Sequence, residues 1–142
     1  MTLTDKQSIR EAYDDVRDDK TETNWCILKY EGDKISLESR GVDMDEFRSH
    51  FTDDQRVFGF VRMFTGDELS RRAKFALISW VGHDVGALKR AKMSTDKASV
   101  KDVIQNFAAE YLASEKSELS DEYIREVLIK AGGANYGTGC RD

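Results

Sequence analysis

Proline is absent from this 142-residue chain, where ordinary usage of about 5% would supply about seven. No stiff, proline-rich linker can therefore separate domains, and no repeat or low-complexity run divides the chain either. Cysteine and histidine are scarce, with two of each. The cysteines form no Cys-x-x-Cys. Cys26 sits inside an apolar run and reads as a small buried hydrophobe, and Cys140 falls near the C-terminus. His50 and His83 lie in different segments, so they read as ordinary surface or edge histidines, and no metal or cofactor site is expected. There is no glycine-rich phosphate loop, no Gly-x-Ser-x-Gly and no His-Glu-x-x-His, which removes the common routes to an enzyme. The most apolar segment runs uncharged only from Phe75 to His83, far short of the roughly 20 residues that cross a bilayer. The first residues contain no apolar stretch of a secretory signal, so the expected setting is reducing and cytoplasmic.

What is present suits one folded domain. Apolar residues make up 39% and charged residues 35%, with a mean hydropathy of -0.60, yet 7 Phe, 5 Tyr and 2 Trp are too many for a disordered polyelectrolyte. The net charge of -5 argues against a nucleic-acid binder held by phosphate neutralisation. Its distribution is uneven. Residues 1–55 hold 8 basic and 15 acidic side chains, residues 56–105 hold 10 and 5, and residues 106–142 hold 4 and 7. A basic middle third within an acidic protein would steer one face toward an acidic partner.

Periodicity gives the order of elements. Thr4 and Gln7 have the spacing of a capping box, and Ile9, Ala12, Tyr13 and Val16 follow on one helical face, predicting a helix over 5–18. Residues 24–30 read as a strand that turns at Glu31-Gly32-Asp33 into a second strand carrying Ile35 and Leu37. A short helix over 43–51 would bury Met44, Phe47 and Phe51. Residues 57–61 and 75–81 are apolar at almost every position, as strands covered on both faces are. After Gly82 two helical stretches are expected, with a kink or restart at Met93-Ser94-Thr95-Asp96 where Ser94 or Thr95 could cap the second. Residues 107–113 fit a continued helix and an edge strand equally well by period. Ser120 opens a last helix that Lys130 and Gly132 close, leaving a domain of residues 1–134 and a flexible tail of 135–142.

Basic side chains are the strongest functional candidates. Arg71, Arg72 and Lys74 precede the second apolar strand; Lys89, Arg90 and Lys92 lie on the first helical stretch; Lys97 and Lys101 share a face of the next. The three clusters could converge, and Met93 beside them suits either an interface or the core.

The chain also resembles a known family. Thr65-Gly66-Asp67, residues 70–80 with Lys74-Phe75-Ala76-Leu77-Ile78, residues 87–96 with Leu88-Lys89-Arg90-Ala91-Lys92, Val103-Ile104-Gln105-Asn106-Phe107-Ala108, and Lys130-Ala131-Gly132-Gly133-Ala134-Asn135-Tyr136 are similar to the coactosins. These belong to the actin-depolymerising factor homology (ADF-H) class, with cofilin and twinfilin. The likeness extends from the Ala12–Asp19 region to Tyr136. It implies an α/β architecture, a central mixed sheet of five or six strands with helices on both faces, and a strand within 107–113. It implies a non-enzymatic, monomeric protein without cofactors that binds the side of filamentous actin, opposes capping, and neither severs nor binds monomers well; a cofilin-like depolymerising activity is the alternative. By position, Lys74 matches the family's main filament-contacting lysine with Arg72 beside it, Lys92, Met93, Thr95, Lys97 and Lys101 match the long actin-facing helix, and Lys130 matches a basic residue late in the last helix. The basic nuclear-import run and phosphorylatable serine of cofilins have no counterpart at the N-terminus. Gly82-His83 stands where cofilins carry a proline-containing segment.

Overall fold

A computed structural model describes residues 2–66 and 72–137, with side chains as far as Ala131. In chain order the elements are β1 (Leu3–Thr4), α1 (Lys6–Arg17), β2 (Trp25–Glu31), β3 (Lys34–Gly41), α2 (Met44–Ser49), β4 (Arg56–Thr65), β5 (Arg72–Val81), α3 (Ala87–Lys101), β6 (Ala109–Ala113), a 3-10 turn at Lys116–Leu119 and α4 (Asp121–Gly137). The strands form one six-stranded sheet in the order β1-β3-β2-β4-β5-β6. Its outer pairs, β1 with β3 and β5 with β6, are parallel, and the inner pairs are antiparallel. This is the mixed sheet with helices on both faces that the resemblance implies.

Strict alternation along β4 and β5 divides the core. Phe58, Phe60, Leu77 and Val81 pack with α1 and α3, while Val57, Val61, Met63, Ala76, Ile78 and Trp80 pack with α2 and α4. Two buried tryptophans bind α2 to the sheet at either end. Trp25 donates its indole N–H to the Asp43 carbonyl at 2.9 Å and Trp80 donates to the Thr52 carbonyl at 2.8 Å. Buried indole N–H groups need such acceptors, so both rings are oriented as well as packed. Gly59 lets the helix come this close, because a Cβ there would lie 3.0 Å from atoms of the Phe47 and Phe51 rings.

Three expectations change in the folded chain. Thr4 belongs to β1, opposite Ile35, so the cap of α1 moves one residue on: Asp5 Oδ1 accepts the Ser8 N–H at 3.2 Å. A carboxylate there also complements the helix dipole. The kink foreseen at 93–96 does not occur, and α3 runs unbroken from Ala87 to Lys101. It contains no glycine or proline, and the Asp96 carboxylate, beside the expected Ser94 or Thr95 cap, accepts from Tyr30 Oη at 2.6 Å and Thr2 Oγ1 at 3.0 Å. Finally, α4 continues past Gly132 to Gly137. Of the tail expected from Asn135, residues 138–142 lie outside the described residues.

The ambiguity at 107–113 resolves as a strand. Val103 and Ile104 drop into the core just after α3, and the Ala108 N–H then donates to the Phe75 carbonyl at 2.8 Å, starting the ladder that covers the outer edge of β5. Edge pairing outweighs helical period here. At the far end of β5 a Cβ on Gly82 would overlap the Asp53 backbone, whereas one on Gly86 meets nothing within 4 Å. Gly82→Ala is expected to lose at least about 2 kcal/mol, since rigid backbone cannot yield as a side chain does. Gly86→Ala should cost less than about 1 kcal/mol. Urea denaturation of the two variants beside the parent checks the difference.

Candidate functional site

Several cations of the basic middle third are engaged within the fold. Arg62 is buried and donates to the carbonyls of Asp18 and Thr21 at 3.2 and 3.1 Å and to Asn24 Oδ1 at 3.2 and 3.3 Å, tying down the loop between α1 and β2. Arg56 stacks on Tyr30, its guanidinium carbon 3.6 Å from the ring centre, and donates to the Lys89 carbonyl. Both are structural.

Three lysines of α3 approach carboxylates. Lys97 and Lys101, one turn apart, close on Glu110 of β6, with Nζ to carboxylate oxygen distances of 3.6 and 2.6 Å. Burial works to raise the Glu110 pKa, but the hydrogen bond from Lys101 and the charge of Lys97 together hold it below the usual carboxylate range. Lys101 also lies 5.7 Å from the Phe107 ring centre. Lys92 approaches Asp33, in the turn between β2 and β3, at 3.8 Å. Thr95 is exposed. Met93 does not belong with them: at 2% exposure it is part of the core between α3 and the sheet, so its side chain offers nothing to a partner.

Arg72 and Lys74 differ from these. Phe75 and Leu77 face α1 and α3, so by alternation Arg72 and Lys74 project on the α4 side with Ala76 and Ile78. Arg72 is exposed and Lys74 half-buried, and neither side chain has a hydrogen-bond or ion-pair partner among the described residues. Lys89 and Arg90 on α3, basic candidates to which the resemblance gave no role, have side chains similarly without partners among the described residues. Lys130 shares the α4 side of the sheet; its ammonium is exposed and meets Glu126 one turn back at 3.0 Å. Arg71 lies outside the described residues. The expected convergence is therefore partial: Arg72, Lys74 and Lys130 take one side of the sheet, and Lys92, Thr95, Lys97 and Lys101 the other.

The two histidines stand apart. His50 packs against Trp25, ring centres 5.8 Å apart, and burial, aided by the charge of Lys29, lowers its pKa. His83 pairs with Glu115 at 2.7 Å in another part of the molecule. No group of three or more His, Cys, Asp or Glu among the described residues could hold a metal ion. Burial pushes the Cys26 thiol up to about 12, leaving it unreactive at neutral pH. The exposed basic side chains form the candidate surface.

Comparison with known proteins identifies that surface's family. Residues 2–129 match the model for cofilin/tropomyosin-type actin-binding proteins. The chain belongs to this family. It is 50% identical to the coactosin-like protein of Rattus norvegicus over 135 residues, 95% of either chain. Its structure superposes on the crystal structure of human coactosin-like protein with a TM-score of 0.89 at 45% identity, covering 92% of this chain and 99% of that one. On the solution structure of mouse coactosin, described as an actin filament binding protein, the TM-score is 0.79 at 48% identity, with 97% of each chain covered. The ADF-H fold and the family affiliation both follow.

The Glu110 cluster gives a pH signature. Its folded pKa is depressed, so the stabilisation is complete above the ordinary value of 4.5 and is lost as pH falls through the lower folded value. Because all three groups are partly solvated, Glu110→Gln should cost only about 0.5–1 kcal/mol at pH 7. In denaturant titrations at a series of pH values, the gap between parent and variant should close once the pH has fallen well below 4.5.

Proposed function

We propose that this chain is a coactosin-like protein that binds the side of actin filaments, opposes their capping, and has little affinity for monomers and no severing activity. The observation that carries the reading is the state of Lys74. It is fixed at the start of a ten-residue strand, by resemblance it matches the family's main filament lysine, and no carboxylate among the described residues pairs with it. An acidic surface of actin can therefore supply its partner. Arg72, also without a partner among the described residues, adds a second charge on the same side. The description of mouse coactosin as an actin filament binding protein, at 48% identity, supports the choice of the filament over the monomer. Residence on the actin cytoskeleton as a monomeric protein follows from this reading.

Charge partners inside the chain rank the contacts. Lys97, Lys101 and Lys130 must give up a carboxylate to meet actin, so each contributes as a rim charge, about 0.2–1 kcal/mol. Among the described residues Lys74 has none to give up. Its removal leaves an actin carboxylate unpaired in the contact, a loss of about 2–5 kcal/mol. Lys74→Ala is expected to lower filament affinity at least about thirtyfold with unchanged circular dichroism, and Lys130→Ala or Lys97→Ala only about fivefold or less. Co-sedimentation with actin filaments measures all three. Parental pelleting by Lys74→Ala would remove the assignment, as would pelleting insensitive to added salt.

A further inference from the structure

β5 is longer than the strand that covers it. β4 pairs with β5 from Thr65 opposite Arg72 to Arg56 opposite Val81, without a shift in register, but β6 joins only from Ala76 opposite Ala109 onward. The first part of β5 therefore has one bare edge. Its polarity can be read from the ladder. The Phe75 carbonyl accepts the Ala108 N–H at 2.8 Å and so points to the β6 side. Two residues earlier, Ala73 points its N–H and carbonyl the same way, and no described residue meets either. A groove of about 410 Å³ opens there, lined by Ala73, Lys74 and Phe75 on one wall and residues 105–108 on the other.

Bare strand edges are templates for another strand, and proteins ordinarily guard them with charge or a covering element. This one carries no cover from the described residues, and the side chain at its centre is only a methyl. The charges that flank Ala73 are Arg72 and Lys74, both positive and both on the α4 side, neither with a described partner. We infer that the edge of β5 at Ala73 receives a short extended segment of an actin subunit as an added strand, hydrogen-bonded to the Ala73 backbone, with acidic side chains at alternate positions of that segment meeting Arg72 and Lys74. The spacing supplies the specificity: an added strand repeats every second residue on one face, as Arg72 and Lys74 do. The inference rests on the filament-binding reading and deepens it by stating the form of the contact.

Two measurements test it. In the free protein the Ala73 amide exchanges hydrogen rapidly; with actin filaments in excess its exchange slows at least tenfold. The second is Ala73→Pro, which removes only the outward-facing donor and blocks an incoming strand while keeping Arg72, Lys74 and the pairing with β4. It is expected to reduce co-sedimentation at least tenfold with the parental circular dichroism spectrum. If the parent pellets with filaments and the Ala73 amide exchanges at the same rate free and bound, strand addition is wrong while filament binding stands. The same holds if folded Ala73→Pro pellets as the parent does. If the parent does not pellet at all, the filament reading fails and this inference fails with it. Should Ala73→Pro not fold, the exchange measurement on the parent decides.

Discussion

Ten unbroken residue pairs between β4 and β5, packed on both sides, are the constraint on which the rest depends. A strand buried by helices on either face can neither slip in register nor twist about its axis without moving a whole core, since a one-residue shift would exchange the two sets of apolar side chains. That rigidity extends to the polar start of β5. Lys74 has little freedom in where its backbone stands, so its entropy loss on meeting a partner is confined to the side chain. The tryptophan anchors of α2 serve the same end by holding one of the covering layers to the sheet.

Charge is organised locally rather than in total. The chain is acidic overall, and several cations of its basic third are engaged when folded: Arg62 hydrogen-bonds to carbonyls, Lys97 and Lys101 share Glu110, and Lys92 approaches Asp33. Exposed pairs of this kind contribute little to stability. Their consequence is selective. They leave Arg72, Lys74, Lys89 and Arg90 as the cations of this region whose side chains lack a described partner. Electrostatic recognition then follows which charges are uncompensated, and the acidic remainder of the surface disfavours other orientations.

Much of this was legible from the amino-acid order. The apolar runs of β4 and β5 announced two covered faces, and Ile9, Ala12, Tyr13 and Val16 marked one face of α1; all four are buried. Ser120 caps α4, its Oγ accepting the Tyr123 N–H at 3.1 Å. The failures share a cause, which is long-range competition for polar groups. Residues 93–96 looked like a helix restart, yet Asp96 is claimed by Tyr30, 66 positions away, and Thr4 is claimed by the sheet. Glu110 gave no sign of joining two lysines of α3, because that contact exists only if residues 109–113 form a strand beside β5. Met93 was equally compatible with surface and core, and the uninterrupted helix decided for the core. Lys74 stood among the basic candidates and family resemblance singled it out; its lack of a partner among the described residues became visible only in the fold.

The central claim is that placement of positive charge, not its amount, creates the binding surface. Lys74→Ala combined with Glu110→Gln tests it most directly, because the double variant loses one positive and one negative charge and keeps the parental net charge of -5. It also frees Lys97 and Lys101 from their carboxylate. Measured by co-sedimentation with actin filaments, the double variant should bind as poorly as Lys74→Ala alone. Recovery of parental affinity would contradict the account.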